Sequence, residues 1–456
     1  MRKPVRVLGF WVLGVGVAVF ALGAEPTWKA GQAQTKITPQ KLFWLAGFGA
    51  RTRPAEGTLH DLWLNVLALE DAQGRVGVVV AADLVGFPKW LYEAICRQME
   101  VRRGLKREQL MLLASHTHSG PVLREALQDI YPLDDQQRTL IAEYSAWLEK
   151  TVVATMSEAL AQRTAVTLWA GEGKAGFALN RRTNRERDLP DMLRQGLTPN
   201  GPSDFAVPVL AIRNADGTLR AVVFGYAAHT STLSGYQWSG DYVSFTRECL
   251  RRRHPATQAL FFQGCGSDQS AAPRGTLEQS RKIGEQLAAA VEEVLARPMR
   301  PLHPRLATAL EFVRLDFGEQ PSREQLESIA KTTGYQARWA KRLLSQLDRG
   351  ESFAKAYPEY PVQVWRLGDQ QLWIALGGEV CVDYALAFKR RFGPTTWVAG
   401  YANDVMAYIP SRRLWEEGGY QAGAFEVYGL PATRWCPDIE DRITAAAARL
   451  VEKTQP

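Results

Sequence analysis

The chain has 456 residues, 46% of them apolar, enough to bury a large core, which excludes a disordered or low-complexity protein. Its net charge of +7 is spread out apart from short runs such as Arg251-Arg252-Arg253, so the basic balance reads as a solvated surface and not as a nucleic-acid-binding face. Five scattered cysteines, Cys96, Cys249, Cys265, Cys381 and Cys436, form no C-x-x-C pair; a zinc knuckle and a dithiol redox motif are excluded, and at least one thiol stays unpaired whatever disulfides export permits.

In chain order, Arg2, Lys3 and Arg6 precede an apolar stretch, Val7 to Leu22, and Ala21-Leu22-Gly23-Ala24 supplies small residues at the spacing a signal peptidase accepts. The expectation is a signal peptide over residues 1–24 and an exported protein, periplasmic or secreted. The alternative is an uncleaved anchor, because the stretch is nearly long enough to span a bilayer. Apolar, β-branched runs then predict strands at Trp63–Leu69, Val76–Ala82, Leu110–Ala114, Val207–Ile212, Ala221–Ala227, Ala259–Gln263 and Gln371–Leu376. Three- and four-residue apolar spacing predicts helices at Trp90–Arg103, Thr139–Gln162, Leu277–Ala296 and Val380–Arg391. Asn214-Ala215-Asp216-Gly217 reads as a hairpin turn. The charged helical pair Ser322–Leu347 reads as an insertion or cap. No repeat and no linker is visible. The fold expectation is α/β, a mixed β-sheet covered by helices, forming one catalytic domain over 25–456 with the active site at the carboxyl ends of strands.

The chemistry concentrates at those strand ends. Six histidines are present, and two of them, His116 and His118, stand at alternate positions at the carboxyl end of the Leu110–Ala114 strand, a spacing that points both side chains the same way. His229 ends a second strand, the loop Gly264-Cys265-Gly266-Ser267-Asp268 follows a third, and Glu379 follows a fourth. Two strands delivering imidazoles at their ends suit a bound metal. Glu379 also reads as a carboxylate favoured at the start of the next helix. His60 reads as a cleft residue or as a structural hydrogen-bonding group; His254 and His303 precede prolines in loops and receive no role.

These motifs carry a resemblance. SHTHSGP at Ser115–Pro121, FALNRR at Phe177–Arg182, VVFGYAAHTS at Val222–Ser231, FFQGCGSDQS at Phe261–Ser270, LGGEVCVDYA at Leu376–Ala385, NDVMAYIPS at Asn403–Ser411 and GGY at Gly418–Tyr420 resemble, in order, the neutral non-lysosomal ceramidases and their bacterial relatives. The resemblance implies that His116, His229, Glu379 and Tyr408 hold one zinc ion (Zn2+). His118 is placed for a catalytic role in proton transfer or as an oxyanion donor, Arg181 to orient a carboxylate or oxyanion, and Tyr420, which matches the family's second active-site tyrosine, to donate to the oxyanion. Taken alone, Arg181 reads as a surface charge and Tyr420 as an ordinary half-buried tyrosine. Ser270 matches a serine proposed as nucleophile in the family, but GCGSDQS lacks the G-x-S-x-G elbow, so the preferred reading is a loop that shapes the metal site, with Asp268 or Ser270 behind the ligands.

The function this implies is zinc-dependent hydrolysis of an N-acyl bond, with ceramide-like lipid, cleaved to sphingoid base and fatty acid, as leading substrate. Peripheral contact with a membrane surface goes with such a partner, and nucleic acid does not. The alternatives are a zinc hydrolase of another N-acyl or ester substrate and a non-catalytic exported binding protein. Two departures bear on substrate: Gly120-Pro121-Val122-Leu123 replaces the family's G-P-G-G, and Gly266-Ser267-Asp268-Gln269-Ser270-Ala271 replaces G-D-V-S-P-N. No C-terminal immunoglobulin-like domain is expected.

Overall fold

The computed structural model describes residues 27–197 and 199–456; the expected signal peptide, 1–24, lies outside them. The principal strands are β1 (Trp28–Lys36), β2 (Trp63–Glu70), β3 (Val76–Ala82), β4 (Leu110–Ala114), β5 (Thr164–Lys174), β6 (Ala206–Arg213), β7 (Leu219–Tyr226) and β8 (Gln258–Gln263). They form one mixed sheet in the order β8-β7-β6-β5-β1-β2-β3-β4, antiparallel except for the two edge pairs, β3 with β4 and β7 with β8.

A topological repeat underlies this order. With helices α1 (Lys89–Arg103), α2 (Asp135–Ala161), α3 (Asp241–Arg253) and α4 (Leu277–Leu295), the chain runs β1-β2-β3-α1-β4-α2 and then β5-β6-β7-α3-β8-α4. Each half pairs its strands antiparallel, antiparallel, parallel. The halves join where Trp28–Ala30 of β1 lies antiparallel to Thr164–Val166 of β5. The sequence shows no repeat because the two halves fill the same connections with different side chains.

Side-chain alternation along the strands separates two faces. Val66, Ala68, Val78, Val80 and Leu112 pack outward against Leu91 and Ile95 of α1 and Val152 and Met156 of α2. In the second half Val209, Phe224 and Phe261 pack against Val243 of α3 and Leu287 and Val291 of α4. The opposite faces share one core, in which Leu67, Val79 and Leu113 meet Leu210, Val223 and Leu260, so the sheet doubles over on itself. Such side chains are each worth about 1.5–3 kcal/mol when fully buried. A second sheet closes this core with Trp365, Trp373 and Trp397. Its principal strands are β9 (Leu306–Glu319), β10 (Ala356–Leu367), β11 (Gln371–Leu376) and β12 (Trp397–Ala399), and the short strand Arg434–Trp435 pairs with the end of β9.

The residues 322–347 contain two helices, α5 (Arg323–Ala330) and α6 (Tyr335–Asp348). Ser322 caps α5 reciprocally with Gln325, and the pair has its own small core of Leu326, Trp339, Ala340 and Leu343. Two further helices, α7 (Val382–Phe392) and α8 (Ile439–Lys453), cover the second sheet. All five cysteines are unpaired. Among the described residues no helix is long and apolar enough to cross a membrane.

Because the sheet is folded and mostly antiparallel, the site does not lie along one edge of an open parallel sheet. It lies where the turns after β4, β7, β8 and β11 are stitched together. Ala114 N donates to Tyr401 O at 3.3 Å, Gly400 N to Gln263 O at 3.0 Å, His118 N to Thr230 O at 3.0 Å and Ser267 N to Val380 O at 3.1 Å.

Candidate metal centre

Strand β4 ends at Ala114, so alternation no longer governs His116 and His118. Instead His116 adopts a left-handed backbone, φ 57°, a conformation that costs a non-glycine residue energy and clusters at functional sites. The two rings stand nearly perpendicular, 77°, and their Nε2 atoms are 3.1 Å apart. His229 joins them from the turn after β7, its Nε2 3.2 Å from that of His116. Glu379, placed by the Gly377-Gly378 turn after β11, sets its Oε2 3.4 Å from His116 Nε2 and 3.3 Å from His229 Nε2. His116, His118 and His229 form a group that could hold a metal ion.

The tautomers follow from the second nitrogen of each ring. His116 Nδ1 is 2.6 Å from Val85 O, and His229 Nδ1 is 2.9 Å from Gly266 O; a carbonyl only accepts, so each Nδ1 carries the proton. Both Nε2 atoms are left with lone pairs that face each other, and two acceptors at that distance repel unless a cation lies between them. Burial pushes the His229 imidazole down to about 3 and that of His118 well below its usual range, which keeps both neutral. Separations of 3.2–3.4 Å among His116 Nε2, His229 Nε2 and Glu379 Oε2 match the roughly 3.3 Å edges of a tetrahedron with ligands about 2.0–2.1 Å from zinc.

His118 differs from its neighbours. Its buried Nδ1 has no partner, while Phe48 packs edge-on against its ring at 4.8 Å. Tyr408 lies in register with Glu379 in a short parallel pairing. Its ring meets that of Tyr420 at 5.3 Å. Burial and then Glu379 drive the Tyr408 hydroxyl well above its usual range. Burial alone would lower the Arg181 guanidinium, but Tyr408, Glu379 and Tyr401 more than offset it, so Arg181 keeps a permanent charge beside the cluster. Tyr420 is 50% exposed at the rim. Ser270 pairs with His229 in an isolated bridge, and its buried Oγ has no hydrogen-bond partner. Asp268, not Glu379, occupies the start of α7, its Oδ1 accepting from Val382 N at 2.8 Å. Gly120 packs on the Asp83 carbonyl, and Val122 and Leu123 are buried in the core, so this departure from the family motif fills the interior rather than the site. His60 bonds Ser239 and His254 bonds Glu292, both outside the cluster.

Sequence reasoning missed four supports. Tyr428 donates to Glu379 Oε1 at 2.5 Å, and Tyr401 to Oε2 at 3.4 Å. Arg51, buried, donates to His118 O at 2.6 Å and to Ala46 O at 2.8 Å. Gly47, at φ 103°, lies so close that a Cβ would fall 2.4–2.7 Å from His118 atoms. None stands at a fixed spacing from a histidine, so only contact reveals them.

The fold that carries this centre is a mixed α/β fold of the neutral ceramidase type. The chain is similar to the crystal structure of neutral ceramidase from Pseudomonas aeruginosa, with 18% identity and a TM-score of 0.68 over 93% of this chain and 75% of that one. It is also similar to a structure described as ceramidase complexed with C2, with 16% identity and a TM-score of 0.69 over 95% and 76%. No family model and no curated protein matches the sequence. The resemblance read from the motifs therefore holds for the fold.

Proposed function

We propose that the protein is an exported zinc-dependent amidohydrolase acting on an N-acyl bond, with a ceramide-like lipid as its leading substrate. The observation that carries the reading is the pair of Nε2 lone pairs converging at 3.2 Å between His116 and His229, each ring's proton being spent on a carbonyl. His116, His229 and Glu379 would hold the ion, with Tyr408 beside them. The chemistry supplied by the ion, when bound, is polarisation of the acyl carbonyl and acidification of water.

The chain's own residues supply the rest. His118, neutral and with Nδ1 free, takes a proton from water and returns it to the leaving nitrogen. Arg181 and the Tyr420 hydroxyl present positive charge and a donor to the oxyanion. Ser270 has no base within hydrogen-bond reach, which favours a shaping role over nucleophilic attack. The ceramidase fold of the two solved relatives supports the lipid class. Contact with a membrane surface would deliver such a substrate.

A second reading, hydrolysis of an N-acyl compound with a polar head group, is favoured by a cleft of about 540 Å3 beside Phe48 and Ser231 that carries Glu186, Arg187, Arg274 and Gln279. Incubating zinc-loaded protein with ceramides, N-acyl amino lipids and acyl-peptides, and weighing the products, tests both. Release of sphingoid base and fatty acid is the expected result; cleavage of polar-headed substrates alone selects the second reading. Absence of any amide or ester cleavage would leave only a binding protein.

A further inference from the structure

We infer that Tyr428 is the positioning residue that fixes which Glu379 oxygen faces the metal site, and that the helical hairpin α5–α6 holds Tyr428 in place. The inference rests on the metal reading above. A carboxylate turns freely about its last torsion, so a ligand of this kind needs a partner on its second oxygen. Tyr428 supplies one: its hydroxyl takes Oε1 at 2.5 Å and leaves Oε2 to the two imidazoles. Tyr401 approaches the shared oxygen only at 3.4 Å and does not choose between the two.

The backbone around Tyr428 is gripped from α6. Arg342 donates to both Asp129 oxygens, Nη2 at 2.7 Å and Nε at 3.0 and 3.1 Å, and its Nη2 also donates to Gly429 O at 2.7 Å. Trp339 Nε1 donates to Leu430 O at 2.9 Å, and Arg338 Nε to Asp129 O at 2.8 Å. The two residues after Tyr428 are thus anchored by one helix. Gly429 is required there on two counts: its φ is 72°, and a Cβ would lie 3.0 Å from Arg342 Nη2 and 3.2 Å from Asp129 Oδ2. Because the hairpin has its own core, these polar anchors couple an otherwise separate element to the metal site.

The test is a titration of the metal-free full chain with Zn2+ against a chromophoric chelator, together with the visible absorption of the Co2+ form. Tyr428→Phe, which removes one oxygen atom, is expected to weaken Zn2+ binding about 10- to 100-fold and to alter the Co2+ bands. Arg342→Ala, far from the coordinating atoms, shifts affinity in the same direction, Arg342→Lys recovers part of it, and Lys331→Ala on the exposed hairpin surface changes nothing. Thermal melts on the same samples establish that each variant is folded; if Arg342→Ala is not, Trp339→Phe, which loses the Leu430 bond and keeps a smaller aromatic ring in the hairpin core, replaces it. Wild-type affinity and spectrum in Tyr428→Phe would overturn the inference. A wild-type chain that binds neither metal would overturn the metal reading instead.

Discussion

At His116 a strained backbone and a committed tautomer coincide: φ is 57°, and Nδ1 is held by Val85 O at 2.6 Å. His118, two residues on, has no such commitment, and in the proposed mechanism this difference separates a ligand from a proton carrier although their Nε2 atoms are 3.1 Å apart. His116→Ala is therefore expected to lose zinc. His118→Ala should retain it and lower turnover roughly 10²- to 10⁴-fold, the scale of general acid–base residues. Metal analysis beside rate measurements decides the matter, and equal zinc loss in both would make His118 a ligand.

Between elements, the loops after β3 and β7 hold equivalent places in the repeat but carry different chemistry. The β7 loop carries His229. The β3 loop carries Asp83, whose buried carboxylate takes Arg247 of α3 in a two-bond ion pair at 2.6 and 2.7 Å, tying the first half of the sheet to the second. Arg247→Ala leaves that carboxylate buried and unpaired, so a loss of about 3–5 kcal/mol is expected in denaturant unfolding. The segment after β12 stitches the second sheet to β4 through Asn403, which bonds both Leu112 N and Leu112 O. Next to it, burial raises the Asp404 carboxyl to about 7, where it accepts from Tyr357. An unfolded aspartate titrates near pH 4, about 3.9. Between those values the native state holds a proton that the unfolded chain has released, so stability from this group is complete below pH 4 and falls as pH rises to 7. Asp404→Asn should flatten that decline, at most about 1.4 kcal/mol per pH unit, in unfolding curves collected from pH 4 to 8.

For the whole molecule, the candidate metal centre joins four turns from both halves of the sheet and from the second sheet, so metal binding there should report on global stability. Zinc at 1,000 times its dissociation constant is expected to add about 4 kcal/mol to unfolding. Calorimetry with and without a chelator measures this. The same chelation should abolish hydrolysis, and returned zinc should restore it; an unchanged melting temperature would place any bound zinc outside the folded centre.

The sequence by itself determined the local elements and the chemical inventory. Val76–Ala82, Leu110–Ala114 and Gln371–Leu376 form strands over the residues their apolar runs mark, and His116, His118, His229 and Glu379 lie in motifs that resemble one family. Strands β1 and β5 escaped notice because their buried positions are interrupted by polar residues, as in WKAGQAQTK, so no run of apolar residues marks them. Only the tertiary structure decided that the sheet is mostly antiparallel and doubled over, that this doubling brings His229 within 3.2 Å of His116, and that Tyr428 reaches Glu379 across 49 positions. The reason is physical: periodicity records which face of an element is buried, whereas the meeting of distant turns depends on how whole faces pack.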